Sequence, residues 1–547
     1  MLERRVRSAS FASEAVARRG LRAWIAPRLL APGFVAAIPP GSARAAAEPR
    51  SSVLGFRAAA RPGAPVLAAL AVLILAGCAA VGPDYQRPVP VLEAGGFINA
   101  GAASANRAEP SADIAVFWRG FDDAALSALV ERALEANGDV RIAQARLQEA
   151  RANQGEADAL GRPGVGLSAG VTRSVQPVTQ LPGQGRSERT GTIWDAGFIA
   201  NWELDFFGRY RRLSESAAAV VEASEAGLAA AHTAVAAETA RNYLELRGLQ
   251  QRLRFTEESL ASQRESLRLT ELRLDAGRGT QLDVARSRAL TENTAAGVPA
   301  LQSAIELTVF RLATLTAQPP RTVLESLQTP APLPGLPVTD LAALPLGTPE
   351  AWLARRPDII AAERSLAAAT ADIGVATSDL FPRISLSGLL GLNAATLGKL
   401  GNSNSAIHSL GAGVSWTPLD FGLLRSRIRA TEARAQQSLA SYEQTIALAL
   451  EETEGALSGY NRNAQRAVRL ERAARSAEQA AVLAQLRFDA GYTDFLAVLD
   501  AEREVLLNRD QLVQAQTGTA TALVGVYRAL GGGWEMPVAG TAVSSVR

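Results

Sequence analysis

The stretch LRLDAGRGTQLDVARSR, residues 272–288, returns two hundred residues later as LRFDAGYTDFLAVLDAE, residues 486–502. At one constant offset Leu272, Arg273, Asp275, Ala276, Gly277, Leu282 and Val284 correspond to Leu486, Arg487, Asp489, Ala490, Gly491, Leu496 and Val498. Each copy lies between long Ala/Leu/Arg/Glu-rich stretches. Asp-Ala-Gly suits the end of a helix, because glycine takes the left-handed conformation after the last turn without steric cost. Thr280 or Thr493 can then start the next helix by accepting from its first free N–H groups. The pattern predicts two helix-turn-helix tips, one per half of the chain.

The likeness extends outward from the tips. Asp139, Val140, Leu147, Ala150, Ala157, Pro163, Leu167 and Ser168 correspond to Asp358, Ile359, Leu366, Ala369, Ala376, Pro382, Leu386 and Ser387 at a second offset. Trp202 and Gly208 correspond to Trp416 and Gly422 at the tip offset. A tandem duplication is therefore expected, each copy running helix, two strands, long helix, tip and helix. Because the two offsets differ, the loops joining the paired strands differ in length.

The strands show in the alternation. Val165, Leu167, Ala169 and Val171 share one face, with Gly166, Ser168, Gly170 and Thr172 on the other. Trp194, Ala196, Phe198, Ala200 and Trp202 alternate in the same way, as do Ile384, Leu386 and Leu390 and then Leu410, Ala412, Val414 and Trp416. A half-buried soluble sheet has this period too. Strand length and the matching Trp202 and Trp416, placed where an aromatic girdle would lie, favour a membrane barrel. Four strands cannot close one, since the smallest need about eight. An open edge in lipid leaves backbone groups unpaired, so the chain is expected to oligomerise, and three copies would supply twelve strands.

Beyond Gly208 the period changes to seven, with Leu246, Leu253, Leu260, Leu267 and Leu274 forming a coiled-coil seam. Tyr460, Ala467, Ala474, Ala481 and Phe488 occupy that register in the second half. A helix from Arg209 to Ala276 would be roughly 100 Å long at 1.5 Å per residue. That far exceeds a bilayer. An ordinary helical bundle would account for these helices alone, but not for the strand pairs that adjoin them.

At 547 residues the chain has room for two or three domains. Eleven arginines and three glutamates precede Cys78, so the remainder is net acidic although the whole is +2. The basic pI is accordingly no argument for nucleic acid. One cysteine excludes an internal disulfide, and two histidines, His232 and His408, exclude a histidine-rich metal site. No phosphate loop, nucleophile elbow or metal spacing stands out, so no catalytic residue, metal ligand or cofactor is assigned and an enzyme is not expected.

The apolar run 66–76 is too short to span a bilayer and has the length of a signal-peptide core. It ends in Leu75-Ala76-Gly77-Cys78, which resembles the bacterial lipobox and makes Cys78 the expected lipidated amino terminus. A signal core so far into the chain places the expected start of translation near Val53 or Leu54. The expected organisation is an N-terminal extension and lipoprotein signal (1–77), a lipid-anchored extended arm (78–115), a first repeat (116–318), a Pro-rich equatorial connector (319–350), a second repeat (351–534) and a flexible tail (535–547).

These features resemble the TolC-like outer-membrane efflux proteins, in particular their lipoprotein branch with OprM and NodT-type subunits. The residues that carry the resemblance are Leu75 to Cys78, Pro83-Asp-Tyr-Gln-Arg-Pro88, Trp202-Glu-Leu-Asp-Phe-Phe-Gly208, Arg355-Arg-Pro-Asp358, Phe381-Pro-Arg-Ile-Ser-Leu386, Val498-Leu-Asp500 and Tyr527 to Trp534. The resemblance implies a homotrimer that combines a twelve-stranded membrane β-barrel with a long α-helical barrel through the periplasm. It implies a passive exit duct in the outer membrane for small toxic compounds or drugs, working with a periplasmic adaptor and an inner-membrane pump. Asp500 and Leu496 match the family's constriction at the closed periplasmic end, and Asp283 matches the aspartate of the first repeat. At ~6 Å and an effective dielectric near 20, each like-charge pair around such an axis costs roughly 3 kcal/mol, so a ring would favour cations or be neutralised by arginines such as Arg286 and Arg487. Phe488 and Thr493 stand where some members have a tyrosine and an arginine, so the hydrogen-bonded latch of those members is not expected. Gly277, Gly279, Gly491 and Tyr492 lie on the tips that meet the adaptor in this family, although turn geometry alone also explains the glycines. Two alternatives are a lipid-anchored coiled-coil scaffold without a pore and a polypeptide-export channel of the same family.

Overall fold

Both tips close in the manner that the repeat predicts. A 3-10 turn at Phe117–Phe121 leads into α1 (Ala124–Ala136), α2 (Gly138–Leu160), β1 (Gly164–Val175), β2 (Thr190–Leu204), α3 (Arg209–Asp275) and α4 (Gln281–Leu315). After a short helix α5 (Pro320–Leu327) come α6 (Pro357–Ser378), β3 (Arg383–Ala394), β4 (Ala406–Ser415), α7 (Phe421–Asp489) and α8 (Phe495–Ala529). This computed structural model describes residues 80–89, 97–99, 114–337, 352 and 355–534, all within the unit Ala69–Arg547. Cys78, the signal segment and the tail lie outside the described residues, as does the connector from residue 338 to 350.

The four strands form one antiparallel sheet in the order β1-β2-β3-β4, so pairing of β2 with β3 joins the two halves. The register lines up Leu167, Phe198, Leu390 and His408 across the sheet, with Val165, Ala200, Gly388 and Leu410 as the next row on that face. The opposite face carries Gly166, Ile199, Leu389 and Ser409, then Ser168, Gly197, Gly391 and Ile407. One face is thus almost continuously apolar and the other is rich in glycine and serine. Neither face is covered: Leu167, Phe198, Leu390, Leu410 and Val414 are exposed on the apolar face, and Gly166, Ser168, Ser387 and Ser409 on the other. Strands β1 and β4 have no partner on their outer edges among the described residues. Trp202 lies within β2, while Trp416 falls one residue past β4. Their indoles make the same bond in each half: Trp202 Nε1 donates to Gly161 O at 3.0 Å and Trp416 Nε1 to Leu380 O at 3.0 Å. Each tryptophan thereby satisfies a carbonyl just past the preceding helix, at the helix-side rim of the sheet.

Helices α3 and α7 are 67 and 69 residues long, about 100 Å each. Leu246 and Leu260 of the heptad seam are buried, as are Tyr460 and Ala474 in the second half. The densest core lies midway along the helices. There Phe117 stacks on Tyr527 at 5.1 Å, Leu126 and Val130 of α1 are fully buried, and Val323 and Leu327 of α5 close the side. Tyr243 O–H donates to Asp123 at 2.8 Å, and Asp123 also caps α1. The Arg355-Arg-Pro-Asp motif is explained here. Buried Arg356 bonds Asp358, Glu452 at 2.7 Å and the Ala529 carbonyl at 3.0 Å, fastening the start of α6 to the end of α8. Helix α4 continues through Pro299, which has no N–H to give.

The arm carries neither helix nor strand where it is described. Gly82 takes a φ of +96°, and a side chain there would meet the backbone of Gly374 at 2.4 Å, so only glycine fits. Arg212 holds the Val81 carbonyl at 3.2 Å and Asp84 at 2.6 Å, while Tyr85 O–H donates to Glu363. Farther along, Ile98 N and Asn99 N donate to Glu454 at 2.6 and 3.1 Å. The arm therefore touches helices of both halves.

Helices α4 and α8 also end alike, at Ala317 and Gly531, both left-handed with φ of +53° and +76°. Gln318 N bonds Ala313 O at 3.0 Å and Gly532 N bonds Tyr527 O at 2.8 Å. Alanine at this site carries a steric cost of about 1–2 kcal/mol that glycine avoids, offset in part by the extra chain entropy glycine brings to the unfolded state. Ala317→Gly is expected to stabilise the chain by up to about 1 kcal/mol, read as a rise in thermal midpoint. A lower midpoint would contradict this account of the turn.

Candidate functional site

The far ends of the two helical hairpins are built by one backbone motif used twice. At the end of α3, Gly277 has a φ of +72°, its N–H reaches Leu274 O at 2.9 Å, and Arg278 N reaches Arg273 O at 2.8 Å. After α7, Gly491 has a φ of +77°, its N–H reaches Phe488 O at 2.9 Å, and Tyr492 N reaches Arg487 O at 2.8 Å. This is the Schellman closure, in which a left-handed glycine lets its own N–H and that of the next residue satisfy the last carbonyls. Gly279 folds back so that a side chain would lie 3.0 Å from Leu274 N. Tyr492 is 80% exposed at the second tip.

The helices leaving the tips start differently. Thr280 caps α4, accepting from Asp283 N at 3.2 Å while the Asp283 carboxylate accepts from Thr280 N at 3.3 Å, a reciprocal capping box. In the second half the cap is Asp494, which accepts from Ala497 N at 3.3 Å, and not Thr493. The tips are of equal length, so the extended residue before the helix falls one position later than Thr493.

Of the residues proposed from sequence, Asp283 is thus engaged in its own helix start. Asp500 lies on the second turn of α8, more than half exposed, with Arg503 at 3.8 Å. Its neighbouring positive charge is Arg503 and not Arg286 or Arg487, because a residue three positions on along a helix shares its face. Leu496 is half-buried in the first turn of α8. Among the described residues no hydrogen bond or ion pair joins Asp283 to Asp500.

Within each hairpin the helices are tied by Arg288 to Glu271 at 2.7 Å and by Arg509 to Glu478 at 2.6 Å. Between the hairpins, besides the Arg509 guanidinium 5.4 Å from the centre of the Phe255 ring, run three polar links from α3. Arg252 pairs with Asp510 at 2.6 Å, Ser266 donates to Glu502 at 2.9 Å, and the Arg273 guanidinium lies 4.1 Å from the centre of the Phe488 ring. Phe488 in turn packs on Phe495 at 5.1 Å. Residues 252, 266 and 273 each precede a leucine of the heptad seam, so they form one stripe beside it. Sequence reading missed these links, although that spacing was available as a signal. A tyrosine hydrogen bond is absent at Phe488, and a cation on its ring takes that place. Burial raises the Glu502 carboxyl above its ordinary value, opposed only by the Ser266 hydroxyl.

The arrangement is a pair of stiff hairpins joined near their tips by a few polar contacts. Such contacts are worth little singly, about 0–1 kcal/mol where solvent reaches them.

The sequence matches the family described as outer membrane efflux protein over residues 129–318 and 348–532. Outer membrane protein OprJ of Pseudomonas aeruginosa is 33% identical over 477 residues, covering 86% of this chain and 96% of that protein. The solvent efflux pump outer membrane protein SrpC of Pseudomonas putida is 31% identical, covering 85% and 97%. Among solved structures, the outer-membrane channel OprN superposes with a TM-score of 0.76 at 42% identity, covering 83% of this chain and 99% of that one.

Proposed function

The chain belongs to the outer membrane efflux protein family, and on that premise we propose that three copies close into one duct from the periplasm to the cell exterior. The protein is the outer membrane channel component of a tripartite efflux system. The observation that carries the trimer is the four-stranded sheet, apolar on one face and small or polar on the other, with both outer edges unpaired among the described residues. Three such sheets give twelve strands, the apolar face turned to lipid and the Gly/Ser face to the lumen, and no edge is left in the bilayer. The helices extend from one end of the sheet only, so in this reading the strand-joining loops lie outside and the tips deep in the periplasm.

In this reading residues 116–318 and 351–534 are the two repeats, 319–350 the equatorial connector, and Cys78 the lipid-bearing residue that ties the arm to the membrane. Gly277, Gly279, Gly491 and Tyr492 meet the adaptor, and an inner-membrane pump selects and drives the cargo, small toxic compounds or drugs. Asp283, Leu496 and Asp500 surround the narrow end, with Asp500 the residue whose charge faces ions at the mouth. Asp500→Ala is expected to raise single-channel conductance in planar bilayers or to weaken cation preference. Unchanged conductance and selectivity would remove the gate assignment, and no conductance from the unaltered protein would favour the scaffold reading.

A further inference from the structure

We propose that the cavity between α3 and the second hairpin is a binding site for a hydrophobic organic cation, whose charge sits on the Glu502 carboxylate. The cavity measures about 1130 Å³, the size that takes a drug-like molecule. Its apolar wall comes from Leu269 and Leu272 of α3, Val482 and Leu486 of α7, and Val498 and Val505 of α8. Against this wall stand two polar side chains whose bonding is incomplete. Gln263 is 2% exposed, and neither its amide nitrogen nor its oxygen has a partner among the described residues. Glu502 uses one oxygen for Ser266, and its buried Oε2 has no partner. Buried polar atoms left without partners are costly, and a ligand that supplies those partners recovers that cost.

The other charged groups around the cavity are occupied or open to water. Glu258 pairs with Arg254 and Glu265 with Arg268, both on α3, and Asp489 of α7 accepts from Gln485. Arg509 of α8 pairs with Glu478, Arg273 covers Phe488, and Arg278 is exposed on the first tip. No cation among these is paired with the Glu502 carboxylate, so an incoming one has no competitor inside the cavity. A bound cation stabilises the ionised carboxylate, so binding weakens as pH falls and Glu502 takes up a proton. Every group involved belongs to one protomer, so the site does not rest on the conducting trimer. Conductance of the same preparation reports on that reading separately.

The test uses the purified full-length protein in non-ionic detergent, with ethidium as a fluorescent organic cation and neutral N-phenyl-1-naphthylamine as a control. Saturable ethidium binding is expected, at least tenfold weaker in Glu502→Gln and at most a few-fold weaker in Glu502→Asp, which keeps the charge. The neutral probe should change less than twofold across the three proteins. Lowering the pH from 7.5 to 5 should weaken ethidium binding to the unaltered protein and leave Glu502→Gln unaffected. Equal ethidium affinity for the unaltered protein and Glu502→Gln, or no saturable ethidium binding at all, would overturn the proposal.

Discussion

Leu410→Arg is expected to abolish stable insertion into the outer membrane, whereas arginine at the adjacent Ser409 leaves the protein inserted. Leu410 is midway along β4, 88% exposed in the single chain, and in one row with Val165, Ala200 and Gly388 on the apolar face. Ser409 lies opposite Leu389 on the other face. Arginine facing lipid near the bilayer midplane costs about 2–4 kcal/mol in a barrel, or roughly 6–12 kcal/mol over three chains, comparable with the whole stability of a typical domain. The same side chain pointing into an aqueous lumen bears no such cost. The measurement is labelling of intact cells with a membrane-impermeant amine reagent. Lys399 is the one lysine of the chain and is exposed between β3 and β4, at the end of the sheet away from the helices. Ser409→Arg should label as the unaltered protein does, and Leu410→Arg should not. The reverse outcome would mean that the faces have been assigned the wrong way round.

Arg273→Ala is expected to open the narrow end, with Phe488→Leu acting in the same direction. The guanidinium on the Phe488 ring is the link between hairpins closest to the tips. A cation–π contact of this kind is worth about 1 kcal/mol, so three copies lost in concert shift the balance between closed and open ends by about 3 kcal/mol, roughly a hundredfold. Because both substitutions remove one contact, the double variant should conduct little more than either single one. Arg268→Ala provides the comparison, since Arg268 is exposed and pairs only with Glu265 of its own helix. Conductance that rises equally for Arg268→Ala and Arg273→Ala would tie the effect to lost surface charge and not to the link.

The large features of the fold were legible because they are periodic. Leucines at every seventh position, strands alternating every second residue, and a tip written twice each repeat a local rule many times, so single exceptions do not hide it. Features that depend on one contact were not legible. Thr493 is as good a cap as Asp494, and only the length of the turn decides between them. Ala317 gives no sign that it occupies the left-handed position its counterpart fills with Gly531. Arg252, Ser266 and Arg273 read as a solvated stripe until the second hairpin is laid beside them. Glu502 looks like any helix-surface glutamate, yet packing of α3 against α8 half-buries it and takes its Oε2 out of water. Likewise, the matched tryptophans suggested a girdle, but the carbonyls they satisfy at Gly161 and Leu380 required the three-dimensional arrangement.

Imaging of the purified protein in detergent by electron cryo-microscopy bears most directly on the claim that each chain is one third of a tube. The account predicts three copies around a continuous lumen, β4 of each paired with β1 of the next. A stable single chain, its four-stranded sheet still open at both edges, would contradict it.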